Sequence, residues 1–571
     1  MIAPLQQILL IFIISAYPAV GAVTSGHLSS WTTLWVVLGG NLSLVLAALQ
    51  FRKRALRRMD HAADPLAVLG TFEQNLQRLR SMSIGWLAIN LFFMDWGRVV
   101  RTAPWRLPHG AAYTWLPLDP IIWLALPVLV WICFWLAQYG PEALVNARET
   151  AISGRHGRRF HPMPTRRQYV ILQMRTNLYL ILLVLVIWTV QRGSGRLADG
   201  VGLAPWASVI GFIPILLLLL FTGKILSMVW STQSMPEGAL RGRLLAMARR
   251  SGIGFSDVRI WNTHHRIING AVIGPTRVAR YVILSDALLE NLGEREVEAV
   301  FAHELGHGYH RHILWYLAAI FAVALVSSSL GSLLQLRYPQ DGQLLAALTM
   351  LVMVLFIVYG ISRISRLCEH QADWFAAQRM GEELSAAASQ VGGDLERASP
   401  PIGPPASSRA MDSGSFLTPW LIDYSAITPA TASPLVRGAE AFSMALRRVV
   451  ELSGRSPEKP GWMHPSVNQR TQLLANLAVS ADAVRHFEGR MRRLRHLIRW
   501  GLLIGLVSVV MAVALAPATG QPGVSPRISP AKTARPPHFS RVSGEWTTRN
   551  TAVDGGPVEP AGAAIADPLA R

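Results

Sequence analysis

Cysteine is almost absent from this chain, whose 571 residues contain only Cys133 and Cys368. Cys133 lies inside an apolar block, and the pair supplies no disulfide framework. Charge is scarce as well. Charged residues make up 15% of the sequence, against about a quarter in a soluble domain, which points away from an ordinary soluble protein. Acids are the scarcer sign: 34 face 54 basic residues, and the net charge of +20 rests almost wholly on arginine. Such a balance can mark nucleic-acid binding, yet no groove-reading motif accompanies it. The arginines crowd into the loops between apolar blocks, where they read as topology signals, so no nucleic-acid partner is expected. No repeat of fixed period is present.

What the chain has is apolar length. Hydrophobic residues make up 51% of it, and a membrane helix needs about 20 of them in a run. Nine candidate spans follow, near 2–21, 32–50, 82–100, 119–139, 170–190, 204–226, 312–335, 343–360 and 499–517. The block at 82–100 is the weakest, because it holds Asn90 and Asp95. The block at 2–21 lacks a basic start and contains Pro18, so it reads as a retained anchor. The arginine-rich segments 51–81, 140–169, 227–311 and 361–498 are expected in the cytoplasm, with 101–118, 191–203 and the C-terminal tail outside. The domain plan is a transmembrane region at 1–226 with about six helices, a soluble domain at 227–480 interrupted by a membrane hairpin at 312–360, a linker and span at 481–517, and a disordered Pro-rich tail at 518–571. The fold class is a mainly α-helical, multi-pass membrane protein with a small β-sheet in a domain on the cytoplasmic face of the cytoplasmic membrane.

Within that domain the pattern predicts a helix at 236–251, strands at DVRIWN (257–262) and near 279–284, and a helix at 294–311. Beyond the hairpin it predicts helices at 361–380, 437–453 and 466–478. The helix at 294–311 carries His303-Glu304-Leu305-Gly306-His307. Two histidines four apart share one helix face and can grip one Zn2+, while the glutamate between them reaches water as a general base. Val297, Val300, Phe301 and Leu305 are core candidates that would hold this helix rigid.

Catalytic zinc takes three protein ligands and keeps a fourth position open. The hairpin returns the chain to the same face with SRISRLCEHQADWFAAQ, in which Glu369 and Asp373 again stand four apart. Alone, Glu369 reads as a helical ion pair with Arg363 or Arg366. Beside the two histidines it reads as the third ligand, with Asp373 accepting the outer N–H of a zinc histidine. Cys368 and His370 adjoin it, but a ligand at either would put Ala372 or Trp374 where Asp373 now stands, and neither accepts a hydrogen bond. His264, His265, His310 and His312 find no partner at ligand spacing and read as surface histidines.

These residues resemble peptidase family M48, which includes the CAAX prenyl endopeptidases and the HtpX-type quality-control proteases. The likeness rests on the HELGH helix, on Ser365, Arg366, Glu369, Ala372 and Asp373 of a second helix, and on His464-Pro465-Ser466-Val467-Asn468-Gln469-Arg470. It spans about 227–480. It implies a zincin-like fold holding one Zn2+ per chain, with His464 and Arg470 lining the active site beside Glu304. It also implies a substrate peptide extended along an edge strand near 271–284, opened here by Asn269-Gly270 where the family has Asn-Ala. The expected activity is a membrane-embedded zinc metalloendopeptidase acting on membrane-associated, prenylated or damaged proteins, with the lipid bilayer as its other partner. The rivals are a transporter or scaffold carrying a degenerate protease domain, and a structural zinc protein.

Overall fold

The computed structural model describes residues 29–102, 118–153, 161–179, 217–397, 432–454 and 456–515, with scattered positions between 6 and 13 and between 181 and 193. The expected tail at 518–571 lies outside the described residues, as do most of the blocks at 2–21 and 204–226.

Helices α1 (Ser30–His61), α2 (Pro65–Phe92), α3 (Trp96–Thr102), α4 (Leu118–Ser153) and α5 (Arg166–Asn177) form the N-terminal part. Their shared core includes Leu76, Leu91, Trp131, Phe134, Trp135 and Tyr169. The Asp64 carboxylate caps α2 by accepting from the N–H groups of Leu66 and Ala67, with Pro65 at the first helical position, where a missing N–H costs nothing. The block at 82–100 is not one span. Helix α2 ends at Phe92, and Asp95 adopts a left-handed φ of 47° before α3 begins. Asp95 then pairs with Arg98 at 3.2 Å. A polar turn of this kind interrupts the helical ladder that a lipid-facing span requires.

The second part opens with α6 (Thr222–Val229), β1 (Thr232–Ser234), α7 (Ala239–Arg250), β2 (Asp257–Trp261), β3 (Gly270–Ile273), β4 (Tyr281–Ser285), α8 (Asp286–Asn291) and α9 (Glu294–Tyr309). Helices α10 (His312–Arg337) and α11 (Gly342–Leu355) form the hairpin, and a π-helical segment, Phe356–Ile361, joins α11 to α12 (Ser362–Arg397). Helices α13 (Pro434–Leu452), α14 (Val467–Val479) and α15 (Ala481–Leu515) complete the described chain.

The four strands lie in the order β1-β2-β4-β3, with β2 and β4 parallel and the other pairs antiparallel. This corrects the expected edge strand near 271–284: of the two strands in that stretch β3 is an edge, and β4, buried along its length, is central. Its run Tyr-Val-Ile-Leu suits a strand covered on both faces. Side chains of Leu244, Val258, Val282, Leu284, Val297, Phe301, Leu305 and Phe375 make one core from the sheet, α7, α9 and α12. Val297, Phe301 and Leu305 are buried as the helical period predicts, and Val300 is partly buried at the edge of the same core.

The expected helix at 361–380 is not separate from the hairpin. Helical residues run without a gap from 342 to 397, the π-helical turn at Phe356–Ile361 included, so the second hairpin arm runs on into α12. Among the described residues four helices are long and apolar enough to cross a membrane: Ser30–His61, Ile121–Arg148, His312–Gln335 and Leu351–Ala387. The expected span at 499–517 falls mostly in α15, which packs against α10 and exposes Trp500, Leu503, Ile504, Val507 and Val510.

Candidate active site

Helix α9 starts cleanly because Glu296 accepts from the Gly293 N–H and two acids occupy its first turn, where the helix dipole favours them. It ends at His310, and Arg311, at φ 55°, turns the chain into α10. On its inner side α9 meets α12 backbone to backbone. A Cβ on Gly306 would lie 2.9 Å from the Ala372 Cα, so the glycine of HELGH is what allows α12 to come so near. This approach places the third carboxylate against the two histidines.

His303 Nε2 and His307 Nε2 lie 3.1 Å apart. Glu369 Oε2 is 3.8 Å from the first and Oε1 is 3.5 Å from the second. Glu369 does not pair with Arg366, which donates instead to the Gly461 carbonyl. Cys368 points elsewhere, into an apolar cluster with Ala319, Ile361 and Ile364. Glu369 Oε2 is buried and takes no well-formed hydrogen bond, although His464 Nδ1 lies 2.9 Å away. Two imidazoles, one carboxylate and a buried oxygen lacking a proper donor fit a divalent cation of the zinc class.

The outer nitrogens are held as well. His303 Nδ1 is 3.0 Å from Asp373 Oδ1, and the Arg470 Nε donates to Asp373 Oδ2 at 2.8 Å. Burial works against a charge on His303, but the Asp373 carboxylate outweighs it and raises the pKa. Burial likewise opposes the Arg470 charge, and Asp373 again outweighs it. Among the described residues His307 has no acid on its outer nitrogen. Its Nδ1 meets Nδ1 of His312 at 2.8 Å, and His312 Nε2 meets Gln371 Oε1 at 3.2 Å. Burial holds His307 well below the usual histidine range, which favours the neutral ring, the form able to ligate a metal. His312 is therefore no surface histidine: it is 1% exposed and holds the His307 ring in place. Sequence spacing missed it because the left-handed turn at Arg311 breaks the helical period between the two rings.

Glu304 faces the free edge of the sheet. Its Oε2 accepts the Val272 N–H at 2.9 Å, and burial pushes its carboxyl above the usual carboxylate range. His464, 61% exposed at its side chain, reaches the site from the loop before α14. That loop is tied to the returning helix: Ser362 donates to the Trp462 carbonyl, and Trp462 Nε1 donates to the Val358 carbonyl at 2.8 Å. His303, Glu304, His307, Glu369, Asp373, His464 and Arg470 thus converge from α9, α12, α14 and one loop.

Residues 234–477 match the model of peptidase family M48. The chain carries an M48 peptidase domain. The Protease HtpX homolog of Aeropyrum pernix is 26% identical over 325 residues, covering 54% of this chain and 97% of that protein. Protease HtpX of Haemophilus influenzae is 25% identical over 243 residues, covering 39% and 80%. The crystal structure of S. mikatae Ste24p aligns with a TM-score of 0.38 at 13% identity, over 76% of this chain and 97% of that one. With four membrane-length helices among the described residues beside its M48 domain, the chain is an integral membrane protein.

Proposed function

We propose that the chain is a zinc-dependent endopeptidase that hydrolyses extended segments of membrane-associated proteins. One observation carries this reading: His303, His307 and Glu369 converge beside a glutamate that is itself tied to the open edge of β3. His303 Nε2, His307 Nε2 and a Glu369 oxygen would hold one Zn2+, which when bound supplies Lewis acidity toward water and the scissile carbonyl. Glu304 takes the proton from the attacking water and passes it to the leaving amine. A substrate strand adds to β3, where residues 270 and 272 turn toward the free edge and Glu304. Exposed His464 donates to the oxyanion that develops on the substrate. Arg470, buried and engaged with Asp373, positions His303 instead.

A multi-pass topology with the M48 domain in the cytoplasm belongs to the same proposal and is supported by the arginine-rich loops. Purified full-length protein in detergent should cleave an unfolded protein substrate. A chelator should stop the cleavage, and added Zn2+ should restore it. Absence of cleavage by zinc-loaded protein would favour a transporter or scaffold with a silent protease domain. Prenylated C-termini and damaged membrane proteins are the substrate classes implied by the M48 resemblance. Comparing the proteomes of cells with active and inactive enzyme separates them.

A further inference from the structure

We propose that His161, His265 and Glu290 form a second divalent-cation site, of the zinc class, which fastens the segment before α5 to the loop that leads into β3. His161 Nε2 lies 2.7 and 2.6 Å from the two Glu290 oxygens. His265 Nδ1 lies 2.7 Å from Oε2 of the same carboxylate. One ligand atom from each residue falls within 4.8 Å of the others, the compactness also found for His303, His307 and Glu369. The two imidazoles are stacked, with centroids 3.5 Å apart and planes at 5°, so both nitrogens meet the carboxylate side by side.

The loop that carries His265 is built, not loose. The Asp286 carboxylate accepts the N–H groups of Thr263 and His265 at 3.0 and 3.1 Å, and Asn262 Oδ1 accepts that of His264 at 3.2 Å. His264 and His265 both sit at left-handed φ, 53° and 56°, a conformation that persists only where the surroundings enforce it. Asp286 and Glu290 stand one turn apart on α8, so one short helix fixes both the loop and the carboxylate. In a chain of net charge +20, an acid is expected to find arginine or lysine. Among the described residues Glu290 pairs with neither, and its ion-pair partners are the two histidines. The adjacent Arg266 is engaged elsewhere, with Glu142 of α4.

Two imidazoles and a carboxylate are the donor set that zinc, nickel and copper ions prefer. Side-chain exposures of 38%, 33% and 20% for His161, His265 and Glu290 leave an ion reachable from solvent, with water to complete its coordination. Seating the ion requires each ring to present a lone pair and the parallel stack to splay. The site shares no residue with the M48 metal cluster and does not rest on hydrolysis.

Metal counting tests it. Full-length protein in detergent is stripped with chelator, equilibrated with Zn2+, passed through gel filtration and analysed by mass spectrometry. Wild type should carry two equivalents. Glu290→Gln, His161→Ala and His303→Ala should each carry one, and the double variant His303→Ala/Glu290→Gln none. One equivalent in wild type, or two in Glu290→Gln, overturns the proposal and leaves a hydrogen-bonded histidine pair on a carboxylate. Circular dichroism of each variant separates a lost ion from a lost fold. The His303→Ala background gives an independent reading, because any ion it retains must sit at the second cluster. The count uses no substrate, so an inactive enzyme with two bound ions would sink the protease reading and keep this one.

Discussion

Two histidine–carboxylate clusters of the same composition occupy this chain in different surroundings. In the M48 cluster the side chains of His303, His307 and Glu369 are 11%, 14% and 5% exposed, against 38%, 33% and 20% for His161, His265 and Glu290. The outer nitrogens of the first pair meet Asp373 and His312. Among the described residues the second pair has the stacked ring of its neighbour instead. A reacting site must hold its ligands in one orientation and keep out water, so that charge developing on the substrate meets fixed groups in a poor dielectric. A fastening needs only grip, and the second cluster has only that.

Several substitutions would break or sharpen this contrast, and the largest effect is expected at Glu304. Glu304→Gln should lower kcat by about 10²–10⁴-fold while both metal equivalents remain. Peptide hydrolysis and metal analysis on one preparation check it, and loss of the ion would make Glu304 a ligand. Glu369→Ala should empty the M48 cluster and abolish turnover, whereas Cys368→Ser and His370→Ala keep both. Retention of zinc by Glu369→Ala, with loss in Cys368→Ser, would reassign the third ligand. Asp373→Ala leaves Arg470 buried without its carboxylate, which should cost about 3–5 kcal/mol in chemical denaturation. His312→Ala should weaken zinc by about 10–100-fold in a chelator competition. Glu290→Gln should leave kcat/KM at the wild-type level, and a large fall would mean that the second cluster governs the first.

Much of the M48 site was legible because helical spacing is written directly into the chain. His303 and His307, and likewise Glu369 and Asp373, stand four apart, and each pair falls on one face of a regular helix. His312 was not legible, since it reaches His307 across a non-helical turn. Nor was the pairing of His161 with Glu290, which are far apart in the chain and meet only when the N-terminal part docks on the M48 domain. The short strands β1 and β3 carry too few residues to show a period, while buried β4 announced itself as an unbroken apolar run. The block at 82–100 had the apolar content of a span, yet Asp95 turned it into a break. The continuity of α11 with α12 escaped notice because a polar face replaces an apolar one midway along a single rod.

That rod has a bearing on how the protein is made. Two of the three proposed metal donors leave the ribosome on α9, before the hairpin exists. The third arrives at the far end of a helix whose apolar half must first find the bilayer. A nascent chain stranded in water, or inserted with its hairpin misplaced, therefore carries an incomplete centre and leaves its neighbours intact. On the proposed function, membrane insertion is the step that completes the centre, the part a cleavable propeptide plays in a zymogen.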